Sequence, residues 1–371
     1  MSKIHKMKKQ IFLIFLASLI ASGLWAESEL PLDLVRLPEG FNIEVYASGL
    51  KSARGLSFAG NGTLFVGSKS GEVYAVRPDR STVTVTRGLN MPVGLDFFEG
   101  DLYVSSLYRI VKIENILANL DDDPKPEVLI DDLPRDRHHG WKFIKVGPDR
   151  KLYVPVGAPC NVCEREDERY ASILHMSLDG SGLELVASGV RNTVGFDWHP
   201  ESSELWFTDN GRDLMGDDIP PDELNRATRA GLHFGFPYLH GSSVKDPRFW
   251  DYRPAGVQYQ LPEHEFQAHV AALGMRFYTG NQFPEEYRGG IFVAEHGSWN
   301  CSKKTGYRVS FLRLRGNRVA DYRIFAEGWL QGQKAWGRPA DVEIGPDGAL
   351  YVADDVADAV YRIGFAPLNA R

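Results

Sequence analysis

Cysteine is scarce in this 371-residue chain, and the three present exclude more than they suggest. Cys160-Asn161-Val162-Cys163 is followed by Glu164, where a c-type haem attachment needs histidine, so covalent haem is excluded and any redox chemistry needs another cofactor. The spacing suits a small-loop disulfide in an oxidising compartment, which leaves Cys301 over. The apolar run at residues 11–24 is short for a membrane span and follows Lys3, His5, Lys6, Lys8 and Lys9, the pattern of an export signal. Residues 1–26 are therefore expected to be a signal peptide, cut after Gly23 or Ala26, with a retained anchor as the alternative. No cysteine stands near the end of that run to carry a lipid. An excess of positive charge is also missing. The formal net charge is -7 and becomes more negative once the four leading lysines are removed, which excludes nucleic acid and anionic membrane as partners.

What remains, residues 27–371, has 43% hydrophobic and 25% charged side chains, enough to bury a large core. An aromatic-centred apolar triplet recurs six times: Leu64-Phe65-Val66, Leu102-Tyr103-Val104, Leu152-Tyr153-Val154, Leu205-Trp206-Phe207, Ile291-Phe292-Val293 and Leu350-Tyr351-Val352. Each follows a turn such as Gly147-Pro148-Asp149, and each turn follows another short apolar segment, so the unit is a hairpin. Spacings of 38, 50, 53, 86 and 59 residues match a propeller blade with insertions. The fold expected is all-β, a six-bladed β-propeller of four-stranded antiparallel blades in one domain. The last unit ends after three strands near Ile363, and the alternating segment Phe41-Asn42-Ile43-Glu44-Val45-Tyr46 is the candidate for the missing outer strand that closes the ring. A β-sandwich has less need of six like units.

In such a blade the loop entering the innermost strand and the loop leaving the second strand share one face. That face collects Arg54, His138, His139, Arg191, Asn192 and Arg338 from the first set. From the second it collects Asp209-Asn210-Gly211-Arg212, Glu295-His296-Gly297-Ser298-Trp299 and Asp354-Asp355. Arginines, histidines and carboxylates around one axis suit a polyanionic ligand or a metal. The adjacent His138 and His139, at the edge of an apolar strand, supply imidazole suited to proton transfer near neutral pH. In the longest interval, Gly216-Asp217-Asp218-Ile219-Pro220-Pro221-Asp222-Glu223-Leu224-Asn225 offers oxygens for a hard cation such as calcium, without EF-hand spacing. An acidic surface loop is the plainer account of it.

The chain resembles the soluble glucose/sorbosone dehydrogenases, and the sorbosone-oxidising branch most. The stretches concerned are HHGWKF at His138, YVPVGAPCNVC at Tyr153, RNTVGFDWHP at Arg191, FTDNGRD at Phe207, DDIPPDELN at Asp217, GLHFGFP at Gly231, AEHGSWN at Ala294 and GRPADVEIGPDG at Gly337. The resemblance implies pyrroloquinoline quinone and calcium as cofactors and a small sugar or sugar aldehyde as substrate. It also implies an external quinone or cytochrome as electron acceptor, and a periplasmic or secreted location. His138 matches the catalytic base by its place two residues before Gly140. Arg191 and Asn192 match the pair facing the quinone, and Lys303 and Arg338 match contacts to its carboxylates. Gly211 and Arg212 match backbone donors to the catalytic calcium, and Glu223 a ligand of a separate structural calcium. Ala340 stands where the glucose-oxidising branch has a second arginine, which predicts weaker quinone binding. A calcium-dependent lactonase-like hydrolase on the same architecture and a non-catalytic periplasmic carbohydrate-binding propeller are the other functions the polar mouth allows.

Overall fold

The computed structural model describes residues 30–366. The expected signal peptide, residues 1–26, lies outside the described residues. Among those described, no helix is long and apolar enough to cross a membrane.

The chain forms a six-bladed β-propeller. Its first blade holds Ala53–Phe58, Leu64–Ser68, Glu72–Val76 and Thr82–Arg87, paired antiparallel in chain order, and the second holds Leu95–Phe98, Asp101–Ser105, Ile110–Ile113 and Glu127–Ile130. The third begins with only Lys145–Val146, continues through Leu152–Val156, Ser172–Met176 and Glu184–Ser188, and gains Leu232–His233 in parallel. Phe196–Trp198, Leu205–Asp209, Asp222–Ala227 and His264–Phe266 make the fourth, and Ala272–Phe277, Ile291–Glu295, Arg308–Leu314 and Val319–Glu327 the fifth. The sixth takes Pro339–Ile344, Leu350–Asp354 and Ala359–Phe365 from the end of the chain, and Phe41–Ala47 from its beginning as outer strand. All six aromatic triplets lie in second strands and are almost wholly buried, because those strands are covered on both faces by neighbouring blades.

Ring closure through Phe41–Ala47 follows the expected pattern. Phe41 seats its ring among Phe283, Tyr287, Phe325 and Phe365, at centroid separations of 4.8 to 5.3 Å. These contacts join the fifth and sixth blades beside the closure, so removing the strand would expose a long sheet edge and an aromatic cluster together.

Innermost strands pair on one side only, so amides on their other edge need partners. Alternate blades supply them with aspartate. Asp96 of the second blade accepts from Val146 N of the third at 2.8 Å, Asp197 of the fourth from Phe277 N of the fifth at 3.1 Å, and Asp341 of the sixth from Leu56 N of the first at 3.0 Å. Burial raises Asp96 and Asp341 to about 6. Arg276 binds Glu343 at 2.8 Å and, with Lys145, offsets this buried negative charge. Between these bonds the backbones crowd together. A Cβ on Gly94 would overlap the Lys142 carbonyl oxygen and stand 2.8 Å from Ile144 N, and one on Gly274 would stand 2.5 Å from the Asp341 Cα.

That crowding explains a departure from the sequence reading. His138 and His139 were expected at the edge of a strand, but residues 142–144 pack against Gly94 instead of pairing within their own blade, and the strand starts only at Lys145. The histidines sit in a turn, with His139 at φ 50°. The long interval also differs from a surface loop. Asp222 and Glu223 belong to a central strand and are buried, whereas Asp217 and Asp218 are exposed.

Gly94→Ala is expected to cost about 1 to 3 kcal/mol, the usual range for overpacking. Gly60→Ala, at a turn where a Cβ meets nothing within 4 Å, should be close to neutral. Denaturant midpoints of the two variants check this, and equal midpoints would mean that the axis tolerates the added methyl.

Candidate active site

One end of the axis opens into a funnel of about 510 Å³. Five cationic side chains reach it, Arg54, Lys69, Arg137, Arg191 and Arg338, against the carboxylates Asp213 and Asp222. His138, His139, His269 and His296 also line it, with Trp141 and Trp299.

Arg191, Asn192 and Arg338 are fixed through their backbone amides. Asp209, at the end of a second strand, accepts from Arg191 N at 2.7 Å and Asn192 N at 2.6 Å. Asp354, its equivalent in the sixth blade, accepts from Arg338 N at 2.8 Å. The Arg191 guanidinium is 3% exposed as a residue and spends all its donors on protein. It binds Asn161 O and Oδ1 at 2.9 and 3.0 Å, the carbonyls of Asn210 and Gly211 at 3.1 and 2.9 Å, and Asp213 at 3.1 Å. Arg191 therefore offers the funnel a charge and no free N–H. Asn161 lies between Cys160 and Cys163, which are bridged, so the three-residue disulfide loop is part of the clamp on Arg191.

Asn192 is different. Its Nδ2 has only a 3.5 Å contact with Asn210 Oδ1, and its own Oδ1 is buried without a partner. A buried acceptor left unmade costs about 1 to 3 kcal/mol, so the amide is built for a group that the protein does not supply. Gly157 lets it stand close to His139, because a Cβ there would lie 2.6 Å from the His139 Cβ and 3.3 Å from Asn192 Oδ1.

His139 is half-buried, and its Nδ1 donates to the Ala158 carbonyl at 2.7 Å. That bond fixes the tautomer and leaves the lone pair on Nε2. Burial, with Arg191 and His138 beside it, pushes its pKa down to about 2. His138, with its ring centroid 4.1 Å from that of His139, is exposed and has no fixed partner among the described residues. Burial lowers its pKa as well, with less to hold the ring in place. Beneath them Lys142 is buried against the carbonyls of Pro134 and Gly140 at 3.5 Å, and burial lowers it to about 8.

On the far wall Asp355 gathers Arg54 at 2.8 Å, Lys69 at 2.6 Å and His296 at 2.9 Å. Burial alone would raise its pKa, but Arg54, His296 and Lys69 hold the carboxyl well below the usual range. Arg338 donates to the carbonyls of His296 and Gly297 and lies over Tyr307, and its Nη1 has no partner among the described residues.

The remaining expected site residues lie elsewhere. Lys303 is exposed and does not line the funnel. Arg212 is buried on Asp246 at 2.6 Å. Glu223 is buried on Asn225 and Gly241 N, where burial and then the charge of Asp209 push it up. Ala340 faces a space of about 10 Å³ below the funnel, beside Arg54 and Asp341, so position 340 is not a gap in the funnel wall. Sequence reasoning gave no cofactor role to Arg54, Lys69, Arg137, Asp213 or Trp299. For Arg54 and Trp299 the signal existed, since both fall in the loops assigned to this face.

The donor set fits a planar polyanion with carbonyl and carboxylate oxygens, such as a tricarboxylate quinone. Arg54, Arg338 and Lys69 form one cationic wall, Arg191 and the unmet amide of Asn192 another. It fits calcium less well. The Gly211 oxygen is held by Arg191, and among the described residues no three His, Cys, Asp or Glu side chains could hold a metal. Two backbone carbonyls fall short of the six to eight oxygens that calcium takes.

A closed propeller with a cationic axial funnel and a tautomer-locked imidazole defines an enzyme site of the cofactor-binding kind. Residues 117–362 match the model of the glucose/sorbosone dehydrogenase family, and the chain belongs to that family of sugar oxidoreductases. It is 36% identical over 359 residues to an uncharacterized protein of Borreliella burgdorferi, covering 93% of this chain and 94% of that one. The calcium structure of a Trichoderma reesei carbohydrate-active enzyme of family AA12 superposes with a TM-score of 0.75 at 17% identity, covering 90% of this chain and 97% of that one. The PQQ-bound form of an aldose sugar dehydrogenase from Streptomyces coelicolor does so at 0.66 and 20%, covering 89% and 100%. At these identities the two structures establish the fold alone.

Ring-nitrogen NMR of the cofactor-free protein is expected to show His139 neutral at pH 5, with the proton on Nδ1. A pKa lowered from 6.5 means that acid does not charge the ring until well below that pH. A proton on Nε2, or titration near 6.5, would contradict the bond to Ala158. Alkylation of the denatured protein without reductant should label Cys301 alone; two further labels per molecule would rule the bridge out.

Proposed function

We propose that this chain is an exported dehydrogenase that oxidises a small sugar or sugar aldehyde, of the sorbosone or aldose type, using pyrroloquinoline quinone held in the axial funnel. The observation that carries the proposal is a neutral imidazole with a fixed free Nε2 inside a funnel lined by five cations. When bound, the quinone supplies the acceptor for the hydride that leaves the substrate carbon.

His139 takes the hydroxyl proton at Nε2, while its Nδ1 bond to Ala158 keeps that nitrogen aimed. The geometry favours His139 over His138 for this role, because only His139 is oriented by a partner. Burial is the main cause of its low pKa, and the charge of Arg191, the second cause, is the part that a tricarboxylate beside it would offset. Arg191 acts through its charge, which stabilises negative charge developing on the bound oxidant. Asn192, Arg54, Lys69 and Arg338 hold carboxylate and carbonyl oxygens. Lys303 is left without a part in this scheme.

Calcium is proposed as a second cofactor on the carbonyls of Gly211 and Arg212, with most of its oxygens coming from ligand and water. No step is assigned to it. The buried Glu223 is the residue for a separate structural calcium. The electron acceptor is external, a quinone or a cytochrome, and the location is periplasmic or secreted. A lactonase-like hydrolase would need a metal held by several acidic and amide side chains, and no observation favours it over the dehydrogenase.

Absorbance titration of the apoprotein with pyrroloquinoline quinone, with and without calcium, should show saturable binding, and the loaded protein should reduce an artificial acceptor when given an aldose. His139→Ala should lower kcat by roughly two to four powers of ten with quinone binding retained. His138→Ala should change it by less than about tenfold. The reverse ranking would return the base to His138, and failure to bind the quinone at all would sink the dehydrogenase reading.

A further inference from the structure

Two groups of the proposed machinery are held from one short segment, residues 158–163. The Ala158 carbonyl accepts from His139 Nδ1 at 2.7 Å, while Ala158 N donates to the Arg191 carbonyl at 2.8 Å. Asn161 O and Oδ1 accept from Arg191 Nε and Nη2 at 2.9 and 3.0 Å. The same Oδ1 accepts from Asp213 N at 2.8 Å, and Asn161 Nδ2 donates to Asp213 O at 3.0 Å, so this side chain ties the third blade to the loop of the fourth. Residues 157–171 lie outside any strand, and no ladder of backbone bonds keeps the segment in place. Val162, packed on Ala158 and Phe236, holds it on one side, and the Cys160–Cys163 bridge closes the turn around Asn161. Neither cysteine is buried, and Cys163 lines a second cavity of about 290 Å³ beside Leu185 and Ser188. The bridge therefore faces solvent while the residue it encloses faces Arg191.

We infer that Asn161 is a positioning residue acting through Arg191, and that the Cys160–Cys163 bridge is a redox-sensitive catch that holds it, so that the site is set only while the bridge is oxidised. The effect on turnover rests on the dehydrogenase reading, and the effect on Arg191 rests on the contacts alone. A fixed charge stabilises a transition state only from where it is fixed. With the catch open, Arg191 Nε loses its partner, and Nη2 keeps only Asp213, whose own backbone has lost the bonds from Asn161. An external dithiol opens the bridge by exchange: the S–S bond breaks and two thiols form, while the dithiol gives up two protons and two electrons and closes to its own disulfide. Cys301 is already a thiol, so the reductant changes nothing else. Val162 keeps the segment near its place, which makes the change one of alignment and not of fold. Since such a bridge persists only in an oxidising compartment, the active site would be completed after export.

The first test needs no cofactor. In NMR of the wild-type apoprotein, the Arg191 Nε–H, assigned with Arg191→Lys, should exchange slowly with solvent, and dithiothreitol should speed that exchange by about tenfold or more. Cys160→Ser/Cys163→Ser should show the fast exchange without reductant, and the reductant arm does not depend on that variant folding. In the second test, the double variant and Asn161→Ala, each loaded with quinone and calcium, should lose roughly tenfold in kcat on an aldose while KM for the sugar stays within about twofold. Asn161→Asp, which keeps the acceptor oxygen, should retain more of the rate than Asn161→Ala. A lower denaturant midpoint with kcat and Nε–H exchange unchanged would make the bridge a staple for the fold and nothing more. A bridge that dithiothreitol leaves intact in the folded protein, or whose reduction leaves Arg191 as protected as before, overturns the inference. If loaded wild type oxidises no sugar, the dehydrogenase reading fails, and the exchange measurement still decides whether the bridge holds Arg191.

Discussion

The structure depends on how six innermost strands, each with one unpaired edge, satisfy their amides around a narrow axis. A row of buried N–H groups without acceptors would cost more than a domain's net stability, so carboxylates from neighbouring blades are built into the axis. Asp96, Asp197 and Asp341 do this across alternate blade junctions, and Arg276 and Lys145 keep the accumulated negative charge tolerable. Burial pushes Asp96 and Asp341 upward, which measures how far these carboxylates have been taken from water.

The same device builds the active face. Asp209 holds the amides of Arg191 and Asn192, and Asp354 holds that of Arg338, just as the axial aspartates hold strands. Structural anchoring and site geometry therefore share one solution, a carboxylate at the end of one strand bonded to the chain entering another. What distinguishes the funnel is excess. Its cations exceed its carboxylates, and the amide oxygens of Asn192 and Asn300 are left unmet, so the protein's own bonds do not complete the site. Arg191 is the opposite case, a guanidinium with every donor used, whose contribution is a fixed charge.

Much of this was legible in the chain. The six triplets announced second strands because a strand covered on both faces must be apolar throughout, and the alternating Phe41–Ala47 announced an outer strand. Blade topology alone gathers Arg54, Arg191, His139, His296 and Trp299 at one mouth. What escaped were properties of contact. Counting back from Gly140 pointed to His138; that its neighbour His139 is held by the Ala158 carbonyl, nineteen residues away in sequence, is a contact the string does not show. Ala340 read as a missing cation, yet its position faces a small apolar space beside Arg54. Lys303 read as a clamp and lies outside the funnel.

By itself, then, the sequence determined what is periodic and local: the all-β class, the number of blades, the closing strand, the pairing of Cys160 with Cys163, and the set of loops that share the active face. Side-chain period and turn chemistry act within a few residues, and a linear string carries them in full. Only the tertiary structure decided which of those loop residues meet. It set the tautomer of His139, saturated Arg191, buried Asp222 and Glu223 in a strand, and left Trp299 exposed. Each of these depends on distances between blades far apart in the chain, fixed by packing around the axis, and no local pattern encodes them.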